Sequence, residues 1–154
     1  MDSTMRNIYN HRRMPLDTTD YGPEQFVFDI DNATERNNNY RKALWTGEYL
    51  QLTLMSIKVG GDIGLEMHPK VDQFIRIEEG CGLIKMGSNK DKLNYQGKVN
   101  GNYAILIPAG TWHNLINIGN CPLKLYSIYA PPQHPHGAVH ETKEIAGGHE
   151  IHHD

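Results

Sequence analysis

The chain has 154 residues, a formal net charge of −3, and 15 Gly, 8 Pro and 8 Tyr that punctuate short apolar runs. This length corresponds to one domain, the scattered Lys and Arg residues form no stripe that could bind a nucleic-acid backbone, and no run reaches the roughly 18 apolar residues of a membrane span. The N-terminus also lacks the apolar segment of a signal peptide, so the sequence predicts a cytoplasmic protein without nucleic-acid or membrane partners.

The first part of the chain predicts an irregular arm, a short helix and a hairpin. Residues 1–25 are polar with isolated apolar anchors, and in the following "DNATERNNNYRKA" either Asp31 or Asn32 is suited to cap one or two helical turns. From Tyr40 onward "YRKALW" and "EYLQLTLMSIKV" predict two strands joined at "TG". The second strand alternates leucines at positions 50, 52 and 54 with residues of the other face at 51, 53 and 55.

The rest of the chain is dominated by short strand-like segments. Strands are predicted in "GLEMH", "QFIRIEE", "GLIKMG", "YAILIP", "WHNLINI" and "LKLYSIYA", with Gly-, Pro- and Asn-containing turns between them. Such spacing indicates an all-β sandwich, jelly roll or barrel. From Pro131 the sequence predicts an extended tail that packs back on the domain and ends in a mobile segment.

The stretch "GLEMHPKVDQFIRIEEG" places polar side chains among apolar ones. Glu66 and His68 are two residues apart, so in a strand both side chains point to the same face. A buried carboxylate without a partner costs several kcal/mol. A strand that directs such side chains inward therefore needs a compensating positive charge, and a divalent cation supplies one.

Two spacings resemble the paired motifs of the cupin superfamily, which usually read G-x5-H-x-H-x4-E-x6-G and G-x5-P-x-G-x2-H-x3-N. The first motif runs from Gly60 to Gly80, and the second begins at Asn102 and includes "PAGTWHNLIN". The resemblance covers about residues 45–130 and is closest to small mannose-6-phosphate isomerase-like members. Three positions depart from the pattern, with Glu66 at a His position, Gln73 at the Glu position and Asn102 at a Gly position.

The resemblance implies a double-stranded β-helix, a jelly-roll barrel over residues 45–130, with an N-terminal arm and accessory strands in residues 1–44 and a tail in residues 131–154. It also implies one divalent metal per chain, bound by Glu66, His68, Gln73 and His113. Two imidazoles and one carboxylate form a facial triad, so we expect Mn or Fe, with Zn, Ni or Co as alternatives. A metal-free barrel is the alternative to this site, because the Gln73 amide is a poorer ligand than a carboxylate.

Ligand-contacting residues follow from strand parity, although no catalytic residue is assigned. Gln51 and Thr53 precede the first motif on one face of a strand, and Ile75 and Ile77 share the face of Gln73. Tyr126 and Tyr129 have opposite parity, so only one can point inward; Tyr126 is the candidate for contacting substrate.

The sequence contains nine histidines, six of which lie after Pro131. Those at positions 134, 136 and 140 either cover the mouth of the barrel or lie on its outside, and we expect the second arrangement. Those at positions 149, 152 and 153 could bind metal adventitiously.

Three functions fit this pattern. The first is a metal-dependent enzyme on a small polar metabolite, of sugar or sugar-phosphate isomerase type, for which Lys70 and Arg76 are the candidate phosphate contacts, although Arg76 does not share the face of Gln73. The second is an Fe(II)-dependent oxidoreductase or dioxygenase, and the third is a ligand-binding barrel without catalysis. We expect a homodimer, because two-fold pairs are the commonest oligomers and pairing covers exposed strand edges.

Overall fold

The computed structural model of the chain describes residues 19–151. Among these residues the helices are too short and too polar to span a membrane. The elements, in chain order, are α1 (Ile30–Arg36), β1 (Arg41–Thr46), β2 (Gln51–Ile57), β3 (Asp72–Glu79), β4 (Cys81–Gly87), β5 (Tyr95–Asn100), β6 (Ala104–Ile107), β7 (Trp112–Asn117), β8 (Leu123–Ala130), β9 (Val139–His140) and α2 (Lys143–Ile151).

The strands form two antiparallel sheets, as predicted for a jelly-roll barrel. One sheet has the order β6-β3-β8-β2-β1-β9, and the other has the order β5-β4-β7. The chain before β3 extends the smaller sheet through single bridges of Asp62 to Ile116 and of Glu66 to His113. The all-β double-stranded β-helix is therefore confirmed.

The inner face of the larger sheet changes from polar to apolar along its strands. Residues that pair across neighbouring antiparallel strands project to the same face, so each register position defines a row of side chains. Three successive rows cross β2, β8 and β3. The first row is polar and aromatic, the second is mixed, and the third is apolar. In this order they consist of Gln51, Tyr129 and Gln73; of Thr53, Ser127 and Ile75; and of Met55, Leu125 and Ile77. The last row belongs to the main core, which also includes Ile84 and Leu115 of the smaller sheet.

The outer face of the larger sheet is covered by the segment that precedes β1. Leu44, Leu52, Leu54 and Tyr126 form a separate apolar cluster there, against which Phe26 and other side chains of this segment pack. The predicted short helix is present, but its cap is Asp29, whose side chain accepts a hydrogen bond from the backbone N–H of Asn32 at 3.1 Å. The predicted caps, Asp31 and Asn32, lie inside the helix. Residues 1–18 of the predicted arm lie outside the described residues.

Three local predictions differ from the structure. "GLEMH" forms no regular strand and pairs with β7 only at the Glu66 bridge. β5 was not predicted as a strand, because "YQGKVN" contains few apolar residues to alternate, although it pairs antiparallel with β4. The tail contains β9 and α2 in place of extended chain throughout, and Ala146 of α2 is buried in the main core.

The unusual Asn102 occupies a turn that suits it. Its φ is 75°, in the left-handed region that Gly adopts readily and Asn tolerates better than most other residues. Its side-chain oxygen accepts a hydrogen bond from the Arg76 guanidinium at 2.8 Å. Asn102 can therefore replace the usual Gly without loss of the turn before β6.

Candidate metal centre

Backbone pairing places the first two side chains of the site together. The backbone N–H of Glu66 donates to the carbonyl of His113 at 3.0 Å, and the N–H of His113 donates to the carbonyl of Glu66 at 2.9 Å. Residues that exchange both hydrogen bonds lie directly opposite each other and share one face. The carbonyl of His68 accepts from the N–H of Gly110 at 2.8 Å, which fixes the next part of the segment against the turn before β7.

The side chains of Glu66, His68 and His113 converge to one point. Glu66 Oε1 lies 3.4 Å from His68 Nε2 and 3.3 Å from His113 Nε2. One ligand atom from each residue fits within 4.8 Å of the other two. The histidine side chains are 9% and 1% exposed, whereas that of Glu66 is 19% exposed, so access from solvent lies on the carboxylate side.

A hydrogen bond to the backbone fixes the tautomer of His113, so that its Nε2 is an acceptor directed at the point where the three side chains converge. His113 Nδ1 lies 3.0 Å from the carbonyl of Thr111. A carbonyl can only accept, so Nδ1 carries the proton and, in the neutral ring, Nε2 presents a lone pair to the Glu66 carboxylate. Within the described residues neither His68 Nε2 nor His113 Nε2 has a hydrogen-bond partner of good geometry. These buried acceptors therefore fit a divalent cation between them.

The electrostatics of Glu66 also favour a charged carboxylate. Burial would raise the pKa of the Glu66 carboxyl, but the adjacent side chains of His113 and His68, together with the charge of Arg41, lower it below its usual range. The carboxylate is thus ionised at neutral pH, as a metal ligand must be.

Gln73 reaches the barrel interior from the opposite sheet. Its side chain is buried, and Nε2 donates to the hydroxyl of Ser127 at 3.3 Å. Its Oε1 is buried and has no hydrogen-bond partner among the residues described. The structure thus brings together three of the four predicted ligands and leaves the carbonyl oxygen of the fourth available.

Gln51, a predicted substrate contact, is fully occupied by the protein. Its Nε2 donates to Thr46 Oγ1 at 3.0 Å and to the carbonyl of His134 at 2.8 Å. Its Oε1 accepts from the backbone N–H groups of Gln133 at 3.1 Å and His134 at 2.9 Å. An amide has two donors and one doubly accepting oxygen, so no capacity remains for a ligand. Gln51 instead holds the tail on the barrel.

The two other predicted contacts lie on opposite faces of the larger sheet. Thr53 is fully buried on the inner face, opposite Ser127, as parity predicts. Tyr126 belongs to the outer cluster, so its expected inward orientation is corrected. The inward tyrosine is Tyr129, whose ring lies edge-on to His68 with centroids 5.9 Å apart. Burial raises the pKa of Tyr129, which keeps its hydroxyl protonated.

Two inner residues were not assigned to the site by the sequence analysis. Arg41 is 1% exposed and pairs in register with Met55, so it shares the inner face, and its charge helps to lower the pKa of Glu66. His134 lies against Tyr129, with ring centroids 5.1 Å apart, in contrast to the expected outer docking of this loop. The register of the β1–β2 hairpin could have indicated Arg41, whereas the sequence alone did not decide between the two positions considered for the loop of His134.

Comparisons with known proteins agree with this fold. The Cupin domain family matches residues 53–129. The chain is 60% identical to the Bacillus subtilis protein YrkC over 92% of its length and 75% of that protein, and 41% identical to protein L612 of Acanthamoeba polyphaga mimivirus over 80% of its length and 76% of that protein. The crystal structure of BH2720 from Bacillus halodurans superposes with a TM-score of 0.84 at 65% identity, covering 84% of this chain and 98% of that one. The chain therefore belongs to the cupin family.

Proposed function

We propose that this cupin binds one divalent metal through Glu66, His68, His113 and Gln73 and acts as a small-metabolite enzyme of sugar isomerase type. The observation that carries the proposal is the convergence of the Glu66 carboxylate with two imidazole Nε2 atoms at 3.3 and 3.4 Å. The ligand set has two nitrogen and two oxygen donors, which favours Mn or Fe, while Zn, Ni and Co are also compatible.

The chemistry of the site follows from its inner surface. When bound, the metal supplies a Lewis acid for a carbonyl or hydroxyl oxygen of the substrate. Ile75 and Ile107, both buried on the inner face beside Gln73, exclude water from that side. The protonated hydroxyl of Tyr129 and the unpartnered Oε1 of Gln73 offer uncharged hydrogen-bonding groups in the same row of the sheet. Such groups suit a hydroxylated substrate.

The residues beside the first motif favour an unphosphorylated substrate. Arg76, one of the two candidate phosphate contacts, is directed away from the metal centre and pairs with Glu78, Asp31 and Asn102. Lys70, the other candidate, is exposed in the turn after His68. A phosphate usually needs several converging cations or N–H groups, and these two residues do not converge.

An Fe(II)-dependent oxidoreductase is the second candidate, and the donor set itself favours it. Two histidines and one carboxylate are the ligands that non-haem iron oxygenases use, with positions left open for substrate and oxygen. The two functions differ in the metal that purified protein should contain and in whether substrate turnover consumes oxygen.

The first experiment is metal analysis by mass spectrometry on untagged protein. His149, His152 and His153 should be replaced by Gln in the parent chain, because metal bound by these terminal histidines would be counted with the barrel site. We expect about one equivalent of Mn or Fe in this parent and a loss of most of it in the Glu66→Gln and His113→Ala variants. His136→Gln is the matched control, since His136 is exposed and lies outside the cluster.

The outcome separates the three functions. Manganese directs the next assay to ketose–aldose interconversion, and iron directs it to oxygen consumption. Protein that holds no metal, even after incubation with each cation, contradicts both enzyme proposals and leaves a ligand-binding barrel.

We also propose that the protein is a homodimer. β6 is an edge strand of the larger sheet, and its Leu106 side chain is 71% exposed. Exposed apolar edges of this kind are often covered by a second copy of the chain. Sedimentation at micromolar protein should give twice the chain mass of 17.5 kDa, and a monomer would contradict the proposal.

A further inference from the structure

The segment after β8 is held over one end of the barrel at a single residue. Three of the four hydrogen bonds of Gln51 go to the backbone of Gln133 and His134, at 2.8 to 3.1 Å. Gln51 in turn bonds to Thr46, whose hydroxyl donates to Asp20 at 2.6 Å. The backbone of His134 is therefore fixed by a chain of buried polar contacts, although the residue lies in a loop.

The His134 ring continues the inner row of side chains toward the metal centre. It packs edge-on against Tyr129 at 5.1 Å, and Tyr129 packs edge-on against His68 at 5.9 Å. His134 Nε2 is buried, and within the described residues it has no hydrogen-bond partner. A buried polar atom without a partner costs about 1–3 kcal/mol. This arrangement is the one expected of a group whose partner is a ligand.

The protonation state of His134 restricts the ligand that it can contact. Burial and the nearby charge of Arg41 lower its pKa to about 2, even though the Glu66 carboxylate acts in the opposite direction. The ring is thus neutral at physiological pH, so it supplies no positive charge to balance that of a carboxylate or phosphate. It remains a good donor or acceptor for a hydroxyl or carbonyl oxygen.

We propose that His134 contacts the substrate directly, through a hydrogen bond between its Nε2 and an uncharged hydroxyl or carbonyl oxygen, and that Gln51 is its positioning residue. The inference rests on the proposed function, because it assumes a substrate held at the metal centre. It assigns that site to hydroxycarbonyl compounds such as sugars in their unphosphorylated form. It also gives the loop at residues 131–138 a role in substrate recognition.

The test uses dihydroxyacetone, the smallest ketose, as the probe. The full chain and its variants are loaded with Mn²⁺, metal content is verified, and binding of dihydroxyacetone is measured by calorimetry. We expect His134→Phe to weaken binding at least tenfold with metal content unchanged. His134→Gln retains a hydrogen-bonding group near the Nε2 position and should bind within about threefold of the parent.

Two controls separate ligand contact from folding. His136→Gln changes an exposed histidine of the same segment, keeps a donor for the carbonyl of Gly22, and should leave binding unchanged. Gln51→Glu keeps the acceptor for the two backbone N–H groups but removes the donor to the His134 carbonyl, and it should give an intermediate loss of affinity. A thermal melt of each variant confirms that it is folded under the conditions of the measurement.

The outcomes distinguish failure of this inference from failure of the proposed function. If all variants load with metal but dihydroxyacetone binds equally to the parent and to His134→Phe, or binds to neither, the role of His134 is overturned while the metal centre stands. If the parent does not load with metal, the proposed function fails and this inference fails with it. If His134→Gln is as weak as His134→Phe, the effect comes from packing and the hydrogen bond is rejected.

Discussion

Two buried glutamines lie on either side of Tyr129 in one row of the larger sheet, and they differ in how their amides are satisfied. Gln51 of β2 is 0% exposed and makes four hydrogen bonds within the protein. Gln73 of β3 is 3% exposed, makes one bond of 3.3 Å to Ser127 and leaves Oε1 unpartnered. The two side chains are thus almost equally buried but differ in hydrogen bonding. The Gln51 amide is fully bonded within the protein, whereas the carbonyl oxygen of Gln73 is available to a ligand.

The contrast separates stability from binding at two chemically identical side chains. Buried polar groups cost free energy unless they are hydrogen-bonded, so a fully bonded amide contributes to stability and an unsatisfied one opposes it. Substitution of the two glutamines should therefore give opposite patterns of stability loss and affinity loss.

The largest expected effect is that of Gln51→Leu on stability. The change removes four hydrogen bonds and leaves the backbone N–H groups of Gln133 and His134 without their acceptor. We expect the free energy of unfolding to fall by about 3 kcal/mol or more. Urea denaturation of metal-free protein measures the loss, and a change below about 1 kcal/mol would show that the tail is held by other contacts.

Substitution of Gln73 should affect metal binding more than folding. Gln73→Leu removes one long hydrogen bond and one unsatisfied oxygen, so we expect stability to change by less than about 1 kcal/mol. Gln73→Glu restores the carboxylate that is usual at this position of the cupin motif and should raise Mn²⁺ affinity at least about tenfold. Competition with a chelator measures the affinity, and equal values for Leu, Gln and Glu at this position would exclude it as a ligand.

The buried imidazole of His134, in the segment held by Gln51, should make the free energy of unfolding depend on pH. The pKa of His134 is about 2 in the folded chain but near 6.5 in the unfolded chain, so the unfolded state binds a proton that the folded state does not. Stability is therefore complete above pH 6.5 and falls as the pH decreases, by up to about 1.4 kcal/mol per pH unit. Urea denaturation of metal-free protein between pH 7 and pH 5 measures this slope.

His134→Gln is the control for the pH prediction. The variant should have a shallower slope between pH 6.5 and pH 5, because it has no imidazole at this position to titrate. Below about pH 4.5 both proteins should lose further stability, since the pKa of Glu66 is also lowered in the folded state. An unchanged slope in His134→Gln would assign the effect to another group.

The smallest effect is expected at Tyr126. Its side chain lies in the outer cluster with Leu52 and Leu54, on the face away from the metal centre. Tyr126→Phe should leave metal and dihydroxyacetone affinities unchanged, whereas Tyr129→Phe removes an inner hydroxyl and should weaken dihydroxyacetone binding. Calorimetry on both variants tests the assignment. A larger loss of dihydroxyacetone affinity in Tyr126→Phe than in Tyr129→Phe would contradict it.

The sequence was informative where the determinants are local. Strand alternation predicted an all-β fold, and the resemblance to the cupin motifs implied the jelly roll and the ligand set, of which the structure brings Glu66, His68 and His113 together. Alternation also placed Thr53, Ile75 and Ile77 on buried positions of one face. Each of these predictions depends on residues that are close in the chain or on a spacing that fixes a turn.

The remaining features depend on contacts between distant segments. Parity shows that Tyr126 and Tyr129 face opposite ways, but which of them points inward depends on how the whole sheet packs. The bonds of Gln51 reach residues 82 and 83 positions away, so no local pattern distinguishes this glutamine from Gln73. The polar strand β5 is defined by its pairing with β4 and has little apolar alternation of its own.

The buried carboxylate of Asp20 has a consequence for the order in which the site is assembled during synthesis. It accepts hydrogen bonds from Thr46 and, 117 positions along the chain, from the backbone N–H of Gly137. The proposed ligands at residues 66–113 leave the ribosome before this contact can form, because chains are made from the N-terminus. A nascent chain can therefore expose these proposed ligands to the surrounding solution before the loop that carries His134 closes over them.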